Sequence, residues 1–318
     1  MLTETSKKIL ESYQIRKSKK QKVAFRGWLT EELKKMGYEA KVEKGFAACN
    51  LVVGDPDKAE LICTAHYDTC AVLPIPNFIT PRNLLWYLVY QLLLVLPMLV
   101  LAIGAEVGVM LLWEALAGAD CPMWLAMGTV YAVLFFEVWW IYDGPANKHT
   151  ANDNTSGVVT LVELAAALPE ELRSKVCFVF FDNEEKGLLG SSAFAKTHKK
   201  VQKNTLLLNF DCVGDGDSLQ FYPNKAVKKD AATKERLAAA FPGAGEKTSE
   251  VVKGFGFYPS DQKQFVRGIG VCALKKSRLF GYYMDRIHTQ KDTVLEEENV
   301  RLLLEGVLRL TVESAAKS

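Results

Sequence analysis

Six consecutive apolar residues, Val176-Cys177-Phe178-Val179-Phe180-Phe181, end without transition in Asp182-Asn183-Glu184-Glu185. An unbroken run rich in β-branched and aromatic side chains suits a strand buried on both faces, as in sheets covered by helices on each side. The run therefore predicts an interior strand with two adjacent carboxylates at its C-terminal end. Lys186-Gly187-Leu188-Leu189-Gly190-Ser191 follows, with glycines suited to a tight turn feeding a helix. Open α/β sheets bind ligands just outside the carboxyl ends of their strands, so chemistry is expected here. Neighbouring carboxylates raise each other's pKa unless a cation or water relieves them. Glu184 and Glu185 are thus either two solvated residues opening a helix, or a metal ligand beside a general base.

The same strand-and-helix alternation runs through most of the chain. Apolar positions at helical spacing over residues 5–36, stopped by Gly37, predict an amphipathic helix or pair of helices. Residues 38–42, 48–53 and 60–65 predict strands, the last ending at His66-Tyr67-Asp68-Thr69. Further on, residues 160–168, 191–200, 230–241 and 296–314 carry helical patterns. Residues 205–210, ending at Asp211, and 269–274 are strand-like, and residues 214–217 form a turn. No internal repeat or low-complexity tract interrupts this order. The pattern predicts one α/β domain with a mixed, mostly parallel sheet flanked by helices on both faces.

Residues 83–105 break that pattern, because about 23 residues without a formal charge are enough to cross a bilayer as a helix. A second apolar segment covers residues 123–142. It holds Glu137 but is rich in aromatic residues, several near its ends, where membrane-interface aromatics collect. Residues 107–118 are too short to span and are expected to extend the first helix or to form an interfacial turn. The alternative to a membrane hairpin is a pair of helices buried in a soluble core.

Charge gives no other direction. Lys and Arg total 39 against 37 Asp and Glu, so no global field points to nucleic acid. Arg16-Lys17-Ser18-Lys19-Lys20 and the looser Lys225, Lys228 and Lys229 are expected to be solvated faces, and the one role they suggest is contact with anionic lipid. The seven cysteines include no CxxC pair, and several lie in strand-like runs as small hydrophobes, the usage of a reducing compartment. The N-terminus lacks the apolar core of a signal peptide.

Ligand-type residues gather at strand ends and adjoining loops: His66 with Asp68, Asp153, Glu184 with Glu185, Asp211, and His288. Imidazole and carboxylate suit zinc or a similar first-row divalent ion, and a metal pair needs a bridging carboxylate plus terminal ligands. His66, Asp153, Glu185, Asp211 and His288 fit that need. Asp68 is placed to hold the His66 imidazole tautomer, and Glu184 is left over as the base. Two histidines fall outside the set, His149 as a loop residue and His198 as a solvated helix residue.

These residues carry a resemblance. His66-Tyr67-Asp68, the segment Ala151-Asn152-Asp153-Asn154-Thr155-Ser156-Gly157, the Glu184–Ser191 stretch, Asn209-Phe210-Asp211, Ser260-Asp261 and Ile287-His288-Thr289-Gln290-Lys291-Asp292-Thr293 resemble the co-catalytic zinc aminopeptidases related to bacterial leucyl aminopeptidase and glutamate carboxypeptidase. Each motif alone is weak, and their order and spacing together are specific. The resemblance spans nearly the whole chain except about residues 71–142.

It implies a zinc-exopeptidase fold and two Zn²⁺ ions, other first-row divalent ions being alternatives. Asp153 would bridge them, His66 and Asp211 would complete one site, and Glu185 and His288 the other. Glu184 would act as general base and acid on a metal-activated water, and the substrate's free α-amino group would be held by the metals, giving removal of N-terminal residues from peptides. A carboxypeptidase or a glutaminyl cyclase is the alternative on the same fold, and a non-catalytic scaffold a further one. Tyr222, Tyr258, Tyr282 and Tyr283 are candidates for stabilising the oxyanion.

The insertion between His66 and Asp153 departs from the family. Both residues must reach one metal pair, so the chain must leave the membrane on the side it entered. That requires an even number of spans, of which two is the economical count. The expected organisation is a catalytic domain from residues 1–70 and 143–318, interrupted by a transmembrane hairpin over 71–142 that meets lipid through residues 83–142. Arg82 and Lys148 flank it while its tip holds Glu114 and Asp120, which places the catalytic side in the cytoplasm. A dimerisation or partner-binding role for the hairpin is the remaining alternative.

Overall fold

The computed structural model describes residues 1–315, with side chains through residue 312. Helix α1 (Glu4–Ser12) is capped by the Thr3 side chain, and α2 (Lys19–Lys35) opens with a reciprocal capping box between Ser18 and Gln21. Gly37, at φ +87°, ends this helix pair. Strands β1 (Ala40–Gly45) and β2 (Ala48–Val53) form an antiparallel hairpin, and β3 (Leu61–His66) follows. The long helices α3 (Leu84–Ala117) and α4 (Met123–Asp143) come next, then α5 (Gly157–Ala167) and β4 (Val176–Phe181). The remainder is α6 (Leu189–Thr197), α7 (Lys199–Asn204), β5 (Leu206–Phe210), β6 (Ser218–Pro223), α8 (Lys225–Lys229), α9 (Ala231–Ala240), β7 (Thr248–Val251), β8 (Gly268–Ser277), β9 (Gly281–Tyr283) and α10 (Glu297–Ala315).

The strands form one mixed sheet in the order β1-β2-β4-β3-β5-β8-β6-β7, with β9 beside β8. Its centre, β4-β3-β5-β8, is parallel, and the antiparallel pairings lie toward the edges. Burial explains why β4 reads as an unbroken apolar run. Val176, Phe178 and Phe180 pack into a core shared with α2, α5 and α10, while Cys177, Val179 and Phe181 pack on the opposite face with Phe194, Val201 and Phe265. Successive side chains point to opposite faces, so a strand covered on both sides needs apolar residues at every position.

Helices α3 and α4 pack against each other as a hairpin, and residues 107–118 continue α3 as one helix of 34 residues. Both helices are long and apolar enough to cross a membrane, and only 6% of the most apolar window of each is buried in the protein. That exposure places neither helix in the protein's own core.

Three sequence expectations are corrected. Arg16 is not on a solvated face; it is fully buried, donating from Nε to the Tyr67 carbonyl at 2.5 Å and from its terminal nitrogens to Thr155 Oγ1 at 3.1 Å. The helical pattern over 191–200 is two helices broken at His198, which is not solvated either: it packs on the Phe194 ring at 4.3 Å and meets Glu43 at 3.0 Å. Strands β6, β7 and β9 had no clear sequence signal, because β6 carries Gln220 and Ser218 and the other two have four residues or fewer. Pairing makes strands of them: β6 and β9 each pair with β8, and β7 pairs with β6.

Candidate metal centre

Strands β3, β4 and β5 are parallel and end on one edge, so His66, the turn after β4 and Asp211 arrive together. Asp153 comes from the loop entering α5. The neighbouring asparagines anchor that loop: Asn152 Oδ1 accepts the N–H groups of Gly214 and Asp215 at 2.7 and 3.1 Å, and Asn154 Nδ2 donates to the Phe210 carbonyl at 3.0 Å. Gly157 allows the approach, since a Cβ there would lie 2.3 Å from the same carbonyl. Asp292 secures the loop from behind, accepting the N–H groups of Asn152 and Asp153 at 2.7 and 2.9 Å.

The two oxygens of Asp153 face different donors. Oδ1 lies 3.4 Å from His66 Nε2, which is itself 3.5 Å from Asp211 Oδ1. Oδ2 lies 3.0 Å from His288 Nε2, which is 3.5 Å from Glu185 Oε2. Each group of donors fits within 4.8 Å: His66, Asp153 and Asp211 in one, and Asp153, Glu185 and His288 in the other, where Cys70 joins as a fourth.

Asp68 sits beneath the turn that carries Glu184 and Glu185. Its two carboxylate oxygens accept the N–H groups of Glu184 and Glu185 at 3.0 and 3.3 Å. His66 Nδ1 is held at 3.1 Å by the Asp68 carbonyl oxygen, and the carboxylate is farther off at 3.6 Å. Burial alone would raise the Asp68 pKa, yet His66 and Lys22 hold it below the usual carboxylate range.

The donor chemistry fits a divalent metal. Glu185 Oε1 is buried without a hydrogen-bond partner. Burial pushes Glu185 up to about 7 and Glu184 well above the ordinary value, the latter reinforced by Asp211 and Glu185. For His288 burial works against the charge, but Glu185 and Asp153 raise it to about 9. Carboxylates crowded out of water with only two imidazoles among them call for further positive charge, and a metal supplies it.

These donors line a cavity of 380 Å³. Tyr87 and Gln91 of α3 and Tyr142 of α4 also line it, with Phe78, Ile79 and Phe257. Of the four candidate tyrosines only Tyr258 does so, with its hydroxyl donating to the Asp211 carbonyl at 3.0 Å. His149 is exposed on its loop. Sequence reasoning passed over Cys70 as one small hydrophobe among seven, although it stands two residues beyond Asp68. It also assigned no role to Asp261, which is buried with neither carboxylate oxygen hydrogen-bonded.

Fold and donor set together define a metallopeptidase of the zinc-exopeptidase type, as the motifs implied. A family model described as peptidase family M28 matches residues 141–303, half of the chain, and the protein belongs to that family. Similar solved structures include the LapA aminopeptidase of Legionella pneumophila, at 15% identity and a TM-score of 0.56, covering 97% of this chain and 68% of that one. The glutaminyl cyclase of Porphyromonas gingivalis aligns at 16% identity and a TM-score of 0.58, over 97% and 96% of the two chains. A Zn-dependent exopeptidase of Parabacteroides distasonis aligns at 16% and 0.54, over 95% and 94%. At such identities the likeness is one of fold. No curated protein matches the chain in sequence.

Proposed function

We propose that the protein is a membrane-anchored aminopeptidase with two zinc ions. The observation that carries this reading is the division of Asp153, one oxygen toward His66 and Asp211 and the other toward His288 and Glu185. Each pair would hold one ion and Asp153 both. When bound, the metals supply Lewis acidity toward the scissile carbonyl and acidify a water. Glu184 would hold a proton taken from the attacking water and pass it to the leaving amine, a role suited to a carboxyl whose pKa burial has raised. Asp68 fixes the backbone of the turn that aims Glu184. Cavity charge favours a free amino group over a C-terminal carboxylate: the described lining includes Asp153, Glu184, Glu185 and Asp211 but no Lys or Arg.

In this reading residues 1–70 and 143–318 form the catalytic domain, of which 316–318 lie outside the described residues, and 71–142 form an insertion. Its two ends meet, as Val72 N–H donates to the Pro145 carbonyl at 2.8 Å and Ala71 bridges Ala146. The hairpin would span the bilayer twice, with the catalytic side in the cytoplasm. Tyr87, Gln91 and Tyr142 would then bring the active-site mouth to the membrane surface and favour peptides with an apolar first residue.

The test is hydrolysis of aminoacyl chromogenic substrates beside N-blocked equivalents, for the native protein and Glu184→Gln after zinc addition. Cleavage of free-amine substrates alone, lost in the variant while two metals remain bound, is expected. The whole-length fold likeness to a glutaminyl cyclase motivates a second assay on peptides with N-terminal glutamine. Cyclisation with one metal per chain would replace the aminopeptidase reading.

A further inference from the structure

The reverse side of the catalytic turn forms a second concavity, a groove of 430 Å³ lined by six cationic side chains, Lys17, Lys19, Lys22, Arg26, Lys44 and Lys186. One carboxylate, Asp182, stands among them. It is occupied by Lys22, whose Nζ lies 2.7 Å from Asp182 Oδ1, with Arg26 at 3.9 Å. Among the described residues Lys17, Lys19 and Lys44 form no ion pair. Lys17 is pushed below its ordinary pKa by burial and then by Lys186. Helix α2 adds to the excess, because its first turn carries Lys19 and Lys22 and no acidic residue. Helix N-termini favour anions, so lysines gathered there leave positive charge uncompensated.

The groove also has a fixed position relative to the apolar hairpin. Lys17 Nζ donates to the Tyr142 carbonyl at 2.5 Å and Lys186 Nζ to Asp143 Oδ1 at 2.5 Å, so two of the six cations contact the last two residues of α4. Trp139, Trp140 and Tyr142 crowd the same helix end, the composition of a membrane interface. Phe46, at the tip of the β1–β2 hairpin beside Lys44, is 95% exposed. An apolar ring held out beside a cationic groove suits a lipid surface better than a free anion in water.

We propose that this groove seats the phosphate of an anionic lipid headgroup at the point where the hairpin enters the bilayer. The proposal rests on the membrane-anchored reading above and adds a ligand that the peptidase chemistry does not require. Lys17, Lys19 and Lys44 supply cations that pair with no carboxylate among the described residues, Lys186 exchanges Asp143 for the headgroup, and Phe46 enters the interface. Asp182 and Asn183 form the groove's inner wall, so the bound lipid lies against the backbone that continues into Glu184 and Glu185.

The full chain in nanodiscs of phosphatidylcholine with phosphatidylglycerol provides the test, read as the ratio of the two lipids retained on the protein by native mass spectrometry. The native chain is expected to retain phosphatidylglycerol preferentially. Each lysine at an anionic surface contributes about fivefold, so Lys19→Gln with Lys44→Gln is expected to lower that preference about 25-fold. Lys199→Gln with Lys203→Gln, on α7 and outside the groove, is expected to retain it. Neither pair touches the catalytic cavity, so peptidase turnover in pure phosphatidylcholine discs should match the native chain and certify folding. Equal preference in both double variants overturns the proposal, as does displacement of the lipid by millimolar inorganic phosphate, which would make the groove a site for free anions. A chain that never enters neutral discs removes the membrane reading and the lipid site with it, whereas a chain that enters them without lipid preference removes the groove proposal alone.

Discussion

Strand β4 and the α3–α4 hairpin are both written in apolar residues, and the protein treats them in opposite ways. All six residues of β4 are buried, whereas Ala102 and Ala126 are the only buried residues of the two long helices. The protein's own helices cover β4 on both faces. Among the described residues the protein covers the hairpin only at its base, where Trp86 and Tyr87 meet Phe280 and Phe257, and most of its leucines and several of its aromatic rings face outward. Hydrophobicity states only that water is excluded, and the tertiary structure states what excludes it.

The largest effect that would break this contrast is on insertion. Leu92→Lys, Leu93→Lys and Leu96→Lys together place three charges on exposed positions of α3, each opposing insertion by about 2.5–3.5 kcal/mol near a helix centre. The triple variant is expected to leave the membrane fraction. A native chain that is fully soluble without detergent would show that the hairpin is covered by protein instead.

Next comes the charged end of β4. Glu184→Gln keeps size and hydrogen bonding but cannot carry a proton, so kcat should fall by about 10²–10⁴ with metal content unchanged. Loss of metal together with activity would move Glu184 from base to ligand. Within the buried strand, Phe180→Ala should destabilise by about 3–5 kcal/mol, whereas Phe135→Ala on α4 should change stability in nanodiscs by no more than about 0.5 kcal/mol. Similar losses at both sites, read by denaturant unfolding, would mean that α4 is packed as a core helix.

The smallest effect tests a surface cap that belongs to neither region. Asp230 caps α9 through the Thr233 N–H and pairs with Arg267, and the Thr233 hydrogen bonds followed by Arg267 lower its pKa to about 2. A depressed folded pKa adds stability that is complete above the ordinary carboxylate pKa and is lost as pH falls through the folded value. Asp230→Ala should therefore lower Tm near neutrality, and the gap from the native chain should close between about pH 4 and pH 2. A gap that persists at the acid end would mean that the cap works without its charge.

The elements nearest the donors were the most legible. Interior strands announce themselves by composition, so β3, β4 and β5 were expected within a residue of where they lie, and their ends marked His66, Glu184, Glu185 and Asp211. Arg16 was misread because a basic run looks the same whether its first residue faces water or turns inward to three oxygen acceptors. Cys70 and Asp292 went unassigned for a related reason: their roles depend on loops that meet only when the sheet has formed. Asp68 shows the same limit at atomic scale. Spacing from His66 suggested a carboxylate–imidazole contact, and the carboxylate does lie 3.6 Å from that ring, but the two backbone N–H groups it also accepts come from a turn that no spacing announces.

What the chain determines alone is therefore the order of strands and helices, the apolar interruption, and the residue types available at strand ends. Those follow from local periodicity and from the chemistry of single side chains. Tertiary structure decided which oxygen of Asp153 faces which imidazole, that the hairpin reaches into the catalytic cavity, and that lysines distant in sequence share one groove. Such contacts join segments well separated in the sequence, and no local pattern encodes a distance between them.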